Sequence, residues 1–167
     1  MESAEVEDEQ CGLGAVTVAG EVLKHLDEGG ARLHGHLVGF SGSHLSMYFD
    51  FDVMLRPENS SRLDRICQLY VQAIAAAGYQ PDGLVGPASS GNQLVERIAP
   101  LLSIFLGWRV KAVMTEKIPG GKEFRIAAGT GSLAGLRLLV LDDVMTTGLS
   151  VMNAVKPLLQ AERFFDE

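Results

Sequence analysis

The stretch LLVLDDVMTTGLSV, residues 138–151, decides how the chain is read. Four apolar residues, Leu138 to Leu141, run straight into two adjacent carboxylates, Asp142 and Asp143. Thr146, Thr147, Gly148, Leu149 and Ser150 follow, and then a segment of helical character begins. This order is that of a buried strand, a loop of hydroxyls and backbone amides, and a helix. The unpaired N–H groups at a helix start, with the dipole behind them, form an anion site suited to a phosphomonoester. Gly148 allows the backbone conformations that turn those amides inward. A plain alternative is that Thr147 or Ser150 only caps the helix. The acids need partners too, because carboxylates beside an apolar run are partly desolvated and repel each other. On a strand end their side chains point in opposite directions. Vicinal hydroxyls, a metal or a developing cation would satisfy them, as would a salt bridge to a core Arg or Lys.

The same strand, loop and helix rhythm recurs upstream. GLVGP (83–87) is a short apolar strand, ASSGN a loop of small residues, and NQLVERIAPLL a helix disturbed at Pro100. RVKAVMT (109–115) and RLLVLDD (137–143) are further strands. GLVGP and LLVL alternate little, as expected of strands covered on both faces. The fold class is therefore α/β, with a mostly parallel sheet and right-handed crossovers. Ligands in such sheets gather at the carboxyl ends of the strands, where both unusual loops lie.

Ahead of this core, residues 17–28 place Val18, Val22, Leu23 and Leu26 on one helical face, stopped by Gly29 and Gly30. Residues 33–40 and 47–55 have strand character, joined by the turn-rich SGSHLS. Arg56-Pro57 opens a helix whose apolar positions, Leu63 to Ile74, recur at helical spacing. The first ten residues carry five of the 21 acids and little apolar mass, so residues 1–15 are expected to form a disordered acidic tail. Residues 16–167 are expected to form a single domain.

With 167 residues and 47% hydrophobic content, the chain is long and apolar enough for one true core. A net charge of −7 disfavours a broad nucleic-acid surface, though not a local basic pocket. No apolar run reaches the ~18 residues of a membrane span, and the acidic start is unlike a secretory signal. Cys11 and Cys67 lie far apart without a C-x-x-C pair, so reduced thiols and a cytoplasmic location are expected. His34 and His36 form an H-x-H pair with no third metal ligand nearby in sequence.

A hydrophobic run, Asp-Asp, two mostly apolar residues and Thr-Thr-Gly-x-Ser together resemble the phosphoribosyl-diphosphate (PRPP) signature of type I phosphoribosyltransferases. It is not a P-loop, because no G-x-x-x-x-G-K-[ST] occurs. Three further segments resemble the orotate phosphoribosyltransferase branch in particular. GHLVGFSGSHLSMYF resembles its G-H-F-x-L-x-S-G-x-H-S segment, LVGPASSGNQL its pyrophosphate loop, and TEKIPGGKEFRIAAG its mobile catalytic loop. The four motifs stand in family order from about residue 20 to residue 160.

The resemblance implies the type I phosphoribosyltransferase fold, with a small N-terminal hood over about residues 16–56 and a core over about 57–167. It implies transfer of a phosphoribosyl group from PRPP to orotate, giving orotidine 5′-monophosphate and diphosphate in pyrimidine (UMP) biosynthesis. Asp142 and Asp143 would contact the ribose hydroxyls and stabilise the oxocarbenium-like transition state, and Thr146, Thr147, Gly148, Leu149 and Ser150 would hold the 5-phosphate. Pro87, Ala88 and Ser89 would approach the diphosphate, and Asn92 could cap the following helix. Lys117, with Lys122 or Arg125, would neutralise charge on the leaving group, while Tyr48 and Phe49 either border the base or belong to the core. Mg²⁺ is implied as a cofactor carried mainly by the substrate, with no dedicated protein ligands. A homodimer with a shared active site is implied as well.

Some positions depart from the family pattern. Leu45, Ser46 and Met47 replace a more polar run, Phe40 stands where a polar residue is usual, and Ala127 occupies a place where a second Arg is common. The chain also ends earlier than the family pattern, after QAERFFDE. Two alternatives follow: a non-catalytic PRPP-binding module, or a phosphoribosyltransferase for another base.

Overall fold

The structure is a computed structural model that describes residues 6–38, 44–121, 123–145 and 147–163. The chain divides into two compact units, Met1–Gly78 and Tyr79–Glu167. Sequence reading places the hood boundary near residue 56; the observed division comes later because the helix after Pro57 belongs with the N-terminal unit.

In the first unit, helix α1 spans Val6–Glu28, and a hairpin of β1 (Arg32–Val38) and β2 (His44–Phe49) follows. Helix α1 thus begins at Val6, inside the stretch 1–15 expected as a disordered acidic tail, and is continuous with the amphipathic segment behind it. β1 and β2 pair antiparallel, with a register shift between His34 and Leu37. Residues 51–53, expected to prolong the second strand, form a 3-10 turn that buries Phe51. A second such turn, Pro57–Asn59, leads into α2 (Ser60–Ala76). Pro57 suits a first turn because its missing N–H would lack a helical partner anyway. Asn59 is buried and donates to the carbonyls of Gly29 and Val53, both at 3.0 Å, which ties this turn to the end of α1. α2 buries Leu63, Ile66, Cys67, Leu69, Val71 and Ile74, as its periodicity predicts. It packs on α1, where Arg65 meets Glu21 at 2.6 Å.

The second unit carries the sheet. Its strands are β3 (Gly83–Gly86), β4 (Lys111–Lys117), β5 (Phe124–Ile126) and β6 (Leu138–Val140), in the order β5-β4-β3-β6. β3 pairs parallel with β4 and β6, and β5 runs antiparallel to β4. Helix α3 (Ser90–Leu106) packs on β3 and β4, and α4 (Leu149–Arg163) on β5 and β6. The α/β class and the mostly parallel sheet are as expected. β3 is buried throughout, which explains its lack of alternation. The same reading fails for Leu138, Leu139 and Val140, which stay partly exposed; among the described residues β6 pairs with β3 alone. Pro100 does not break α3, because the helix runs through it with that residue on the exposed side. Val85, Val113, Phe124 and Ala154 form the core between sheet and α4.

Candidate active site

Both loops singled out in the sequence follow the carboxyl ends of parallel strands, β3 and β6. The first is tightly wound. A Cβ added at Gly86 would strike the Gly91 carbonyl, and one at Gly91 would come within 2.8 Å of the Pro87 ring. Only glycine at both places lets strand and helix approach so closely.

This loop is anchored to β4 by Thr115, which is 1% exposed. Its hydroxyl accepts from the Ala88 N–H at 3.0 Å and donates to the Gly86 carbonyl at 2.8 Å. Asn92 completes the anchor: its amide donates to the Thr115 carbonyl at 2.7 Å and accepts from the Thr115 N–H at 3.0 Å. Asn92 is therefore not the expected helix cap. It lies inside the first turn of α3 and faces the strand, while Ser89 holds the cap position without a side-chain bond. Of the three residues assigned to diphosphate, Pro87 has no N–H and the Ala88 N–H is engaged by Thr115. The amides at the start of α3, which no side chain caps, remain directed as a helix N-terminus directs them.

The second loop holds the acids. β6 ends at Val140, so Asp142 and Asp143 lie beyond its regular geometry. Their side chains do not diverge as a strand would require. The Asp143 N–H donates to Asp142 Oδ1 at 3.1 Å, and the two carboxyl groups also interact directly. Burial, then the neighbouring Asp143, pushes the Asp142 carboxyl up to about 7. Asp143 accepts a hydrogen bond from Ser90 Oγ at 2.8 Å, so the two loops meet. Beyond the acids, Thr147 Oγ1 accepts from the Leu149 N–H at 3.4 Å, and Gly148 has φ +72 at the start of α4. Thr147 thus provides the local capping weighed as the plainer alternative, at a long distance. Leu149 and Ser150 form the exposed first turn of α4. Thr146 lies outside the described residues.

The segment expected as a mobile loop is partly a hairpin. Lys117 ends β4, and Arg125 lies in β5 opposite Glu116. Arg125 bonds that glutamate at 2.8 and 2.9 Å. Lys117 is exposed, and Lys122 lies outside the described residues. Tyr48 and Phe49 belong to β2 in the first unit, where Arg32 sits over the Phe49 ring at 5.6 Å. His36 and His44 stack across the hairpin with centroids 4.7 Å apart. Among the described residues no three His, Cys, Asp or Glu side chains are grouped to hold a metal ion.

Sequence reasoning missed Ser90, Thr115 and the true role of Asn92. The position of Thr115 directly after the apolar run Ala112 to Met114 was the available signal for it.

No protein-family model matches the chain. An orotate phosphoribosyltransferase of Caulobacter vibrioides is 30% identical over 142 residues, covering 84% of this chain and 68% of the relative. The chain belongs to the orotate phosphoribosyltransferase family. The family member from Methylorubrum extorquens is 29% identical over 138 residues, covering 83% of this chain. The chain spans 66% of that relative's length. The fold of this family is seen in the orotate phosphoribosyltransferase of Francisella tularensis, which aligns over 84% of this chain and 64% of its own with a TM-score of 0.59 and 21% identity.

Proposed function

We propose that this chain is an orotate phosphoribosyltransferase: it joins orotate to the anomeric carbon of PRPP, releasing diphosphate and giving orotidine 5′-monophosphate for pyrimidine (UMP) synthesis. The observation that carries this reading is the half-buried acid pair set directly before a helix start and tied to the strand-to-helix loop of β3. A sugar with vicinal hydroxyls and growing positive charge complements such a pair.

In this reading Asp142 and Asp143 accept the ribose hydroxyls and stabilise the charge that develops as the carbon–oxygen bond to diphosphate loosens. Thr146 to Ser150 hold the 5-phosphate with the amides of the α4 start. Pro87, Ala88 and Ser89 shape the diphosphate side, where the Ala88 contribution is backbone form rather than a donated N–H. Lys117, with Lys122 or Arg125, balances the leaving charge; Arg125 must exchange Glu116 for the substrate to do so. Tyr48 and Phe49 border the base. No protein nucleophile is required, since placement and fixed charge suffice.

The donor set fits Mg²⁺, a hard ion that keeps oxygen ligands and sits with substrate phosphates. The ion would ride mainly on the diphosphate and ribose oxygens of the substrate, with no dedicated protein ligands, and would offset the diphosphate charge. In this reading the chain works as a homodimer, as the family resemblance implies, and in the cytoplasm, in keeping with two distant cysteines and no C-x-x-C pair. No described helix is long and apolar enough to cross a membrane.

The test mixes protein, PRPP, Mg²⁺ and orotate and follows the loss of orotate absorbance beside a calorimetric PRPP titration. Turnover with binding supports the reading. Binding without turnover selects a PRPP-binding module instead, and absence of both removes the reading of the loop.

A further inference from the structure

We propose that Ser90 is a positioning residue for this reaction, holding Asp143, and through it Asp142, in the orientation that meets the ribose. The inference rests on the proposed function and deepens it. Ser90 Oγ donates to Asp143 Oδ2 at 2.8 Å across 53 residues of sequence. The Asp143 N–H in turn fixes Asp142 Oδ1 at 3.1 Å. Both acids lie in irregular backbone between β6 and α4, so no strand ladder orients their side chains.

The donor, by contrast, stands on a rigid base. Ser90 is the first residue of α3 and follows Ser89 directly. The loop behind it is held by the close approach of Gly86 and Gly91 and by the bonds of Thr115 and Asn92. A hydroxyl on such a base fixes one carboxylate oxygen while leaving the other available to ligand. Hydrogen bonds to a charged acceptor are stronger than neutral ones and more directional in effect. The same short segment therefore forms the diphosphate side of the site and aligns its acids, so that leaving group and ribose are placed relative to each other.

The test compares Ser90→Ala and Ser90→Thr with the unaltered full chain. kcat and KM for PRPP are read with orotate and Mg²⁺, beside a calorimetric PRPP titration. Removing the hydroxyl lowers kcat about 10-fold, as a misplaced catalytic group does, and leaves PRPP affinity within about 2-fold. Ser90→Thr, which keeps the hydroxyl, restores most of the loss. Unchanged kcat in Ser90→Ala, or equal impairment in both variants, overturns the proposal. A double-mutant cycle of Ser90→Ala with Asp143→Asn, read by urea unfolding without substrate, tests the contact independently of turnover. If the unaltered chain fails to consume orotate, the functional reading falls, and additivity in that cycle then overturns the role of Ser90 as well.

Discussion

The side chain of Asn92 pairs with both backbone groups of Thr115, at 2.7 and 3.0 Å, and so continues the strand ladder from within a helix. Asn92→Leu leaves the Thr115 N–H and carbonyl without these partners. An unsatisfied buried polar group costs about 1–3 kcal/mol, so a loss of that order is expected in urea unfolding. Unchanged stability would show that the pairing is dispensable.

Thr115→Val tests the other half of the anchor. It removes the acceptor for the Ala88 N–H and the donor to the Gly86 carbonyl while keeping the shape of the side chain. Weaker diphosphate binding, measured by calorimetry, is expected together with a stability loss of about 1–3 kcal/mol. Diphosphate affinity equal to that of the unaltered chain would mean the loop keeps its form without Thr115.

Asp142 makes stability depend on pH in an unusual direction. Its carboxyl titrates at about 7 in the folded chain, above the ordinary carboxylate value of 3.8. Between these values the native state holds more protons than the unfolded state, so stability falls as pH rises through the window. Asp82 works oppositely. Paired with Arg137 and lowered to about 2, it contributes stability that is present above the ordinary carboxylate value and lost as pH falls toward the folded one. It is therefore constant at and above pH ~5. The urea midpoint is expected to drop between pH ~5.5 and pH ~8, and Asp142→Asn should remove most of that drop. A rising midpoint over the same interval would contradict the burial of Asp142.

Asp142→Asn and Asp143→Asn also separate binding from chemistry. If the acids act on charge that appears only in the transition state, each change cuts kcat about 100-fold with a much smaller effect on PRPP affinity. Equal losses in both quantities would assign the acids to ground-state binding.

The strand, loop and helix rhythm of residues 83–151 was legible because buried strands are short apolar runs and the loops between them are rich in glycine and small polar residues. β5 was not. Phe124, Arg125 and Ile126 make too short a run to show a period, and pairing with β4 alone defines them as a strand. The acid pair was visible, but the contact of its carboxyl groups depends on β6 ending at Val140, a boundary that local composition does not mark. Ser90 and Asn92 looked like ordinary residues of a helix start. Their partners lie 53 and 23 residues away, and such contacts leave no trace in local pattern.

The central claim is that a pentose phosphate sits with its phosphoryl group at the start of α4 and its sugar on the two acids. A crystal of the protein soaked with PRPP and Mg²⁺ tests it most directly. The expected density places the 5-phosphate against the amides around Gly148 and the ribose hydroxyls on Asp142 and Asp143. An empty pocket, or PRPP bound elsewhere with the acids still closed on each other and on Ser90, would contradict the account.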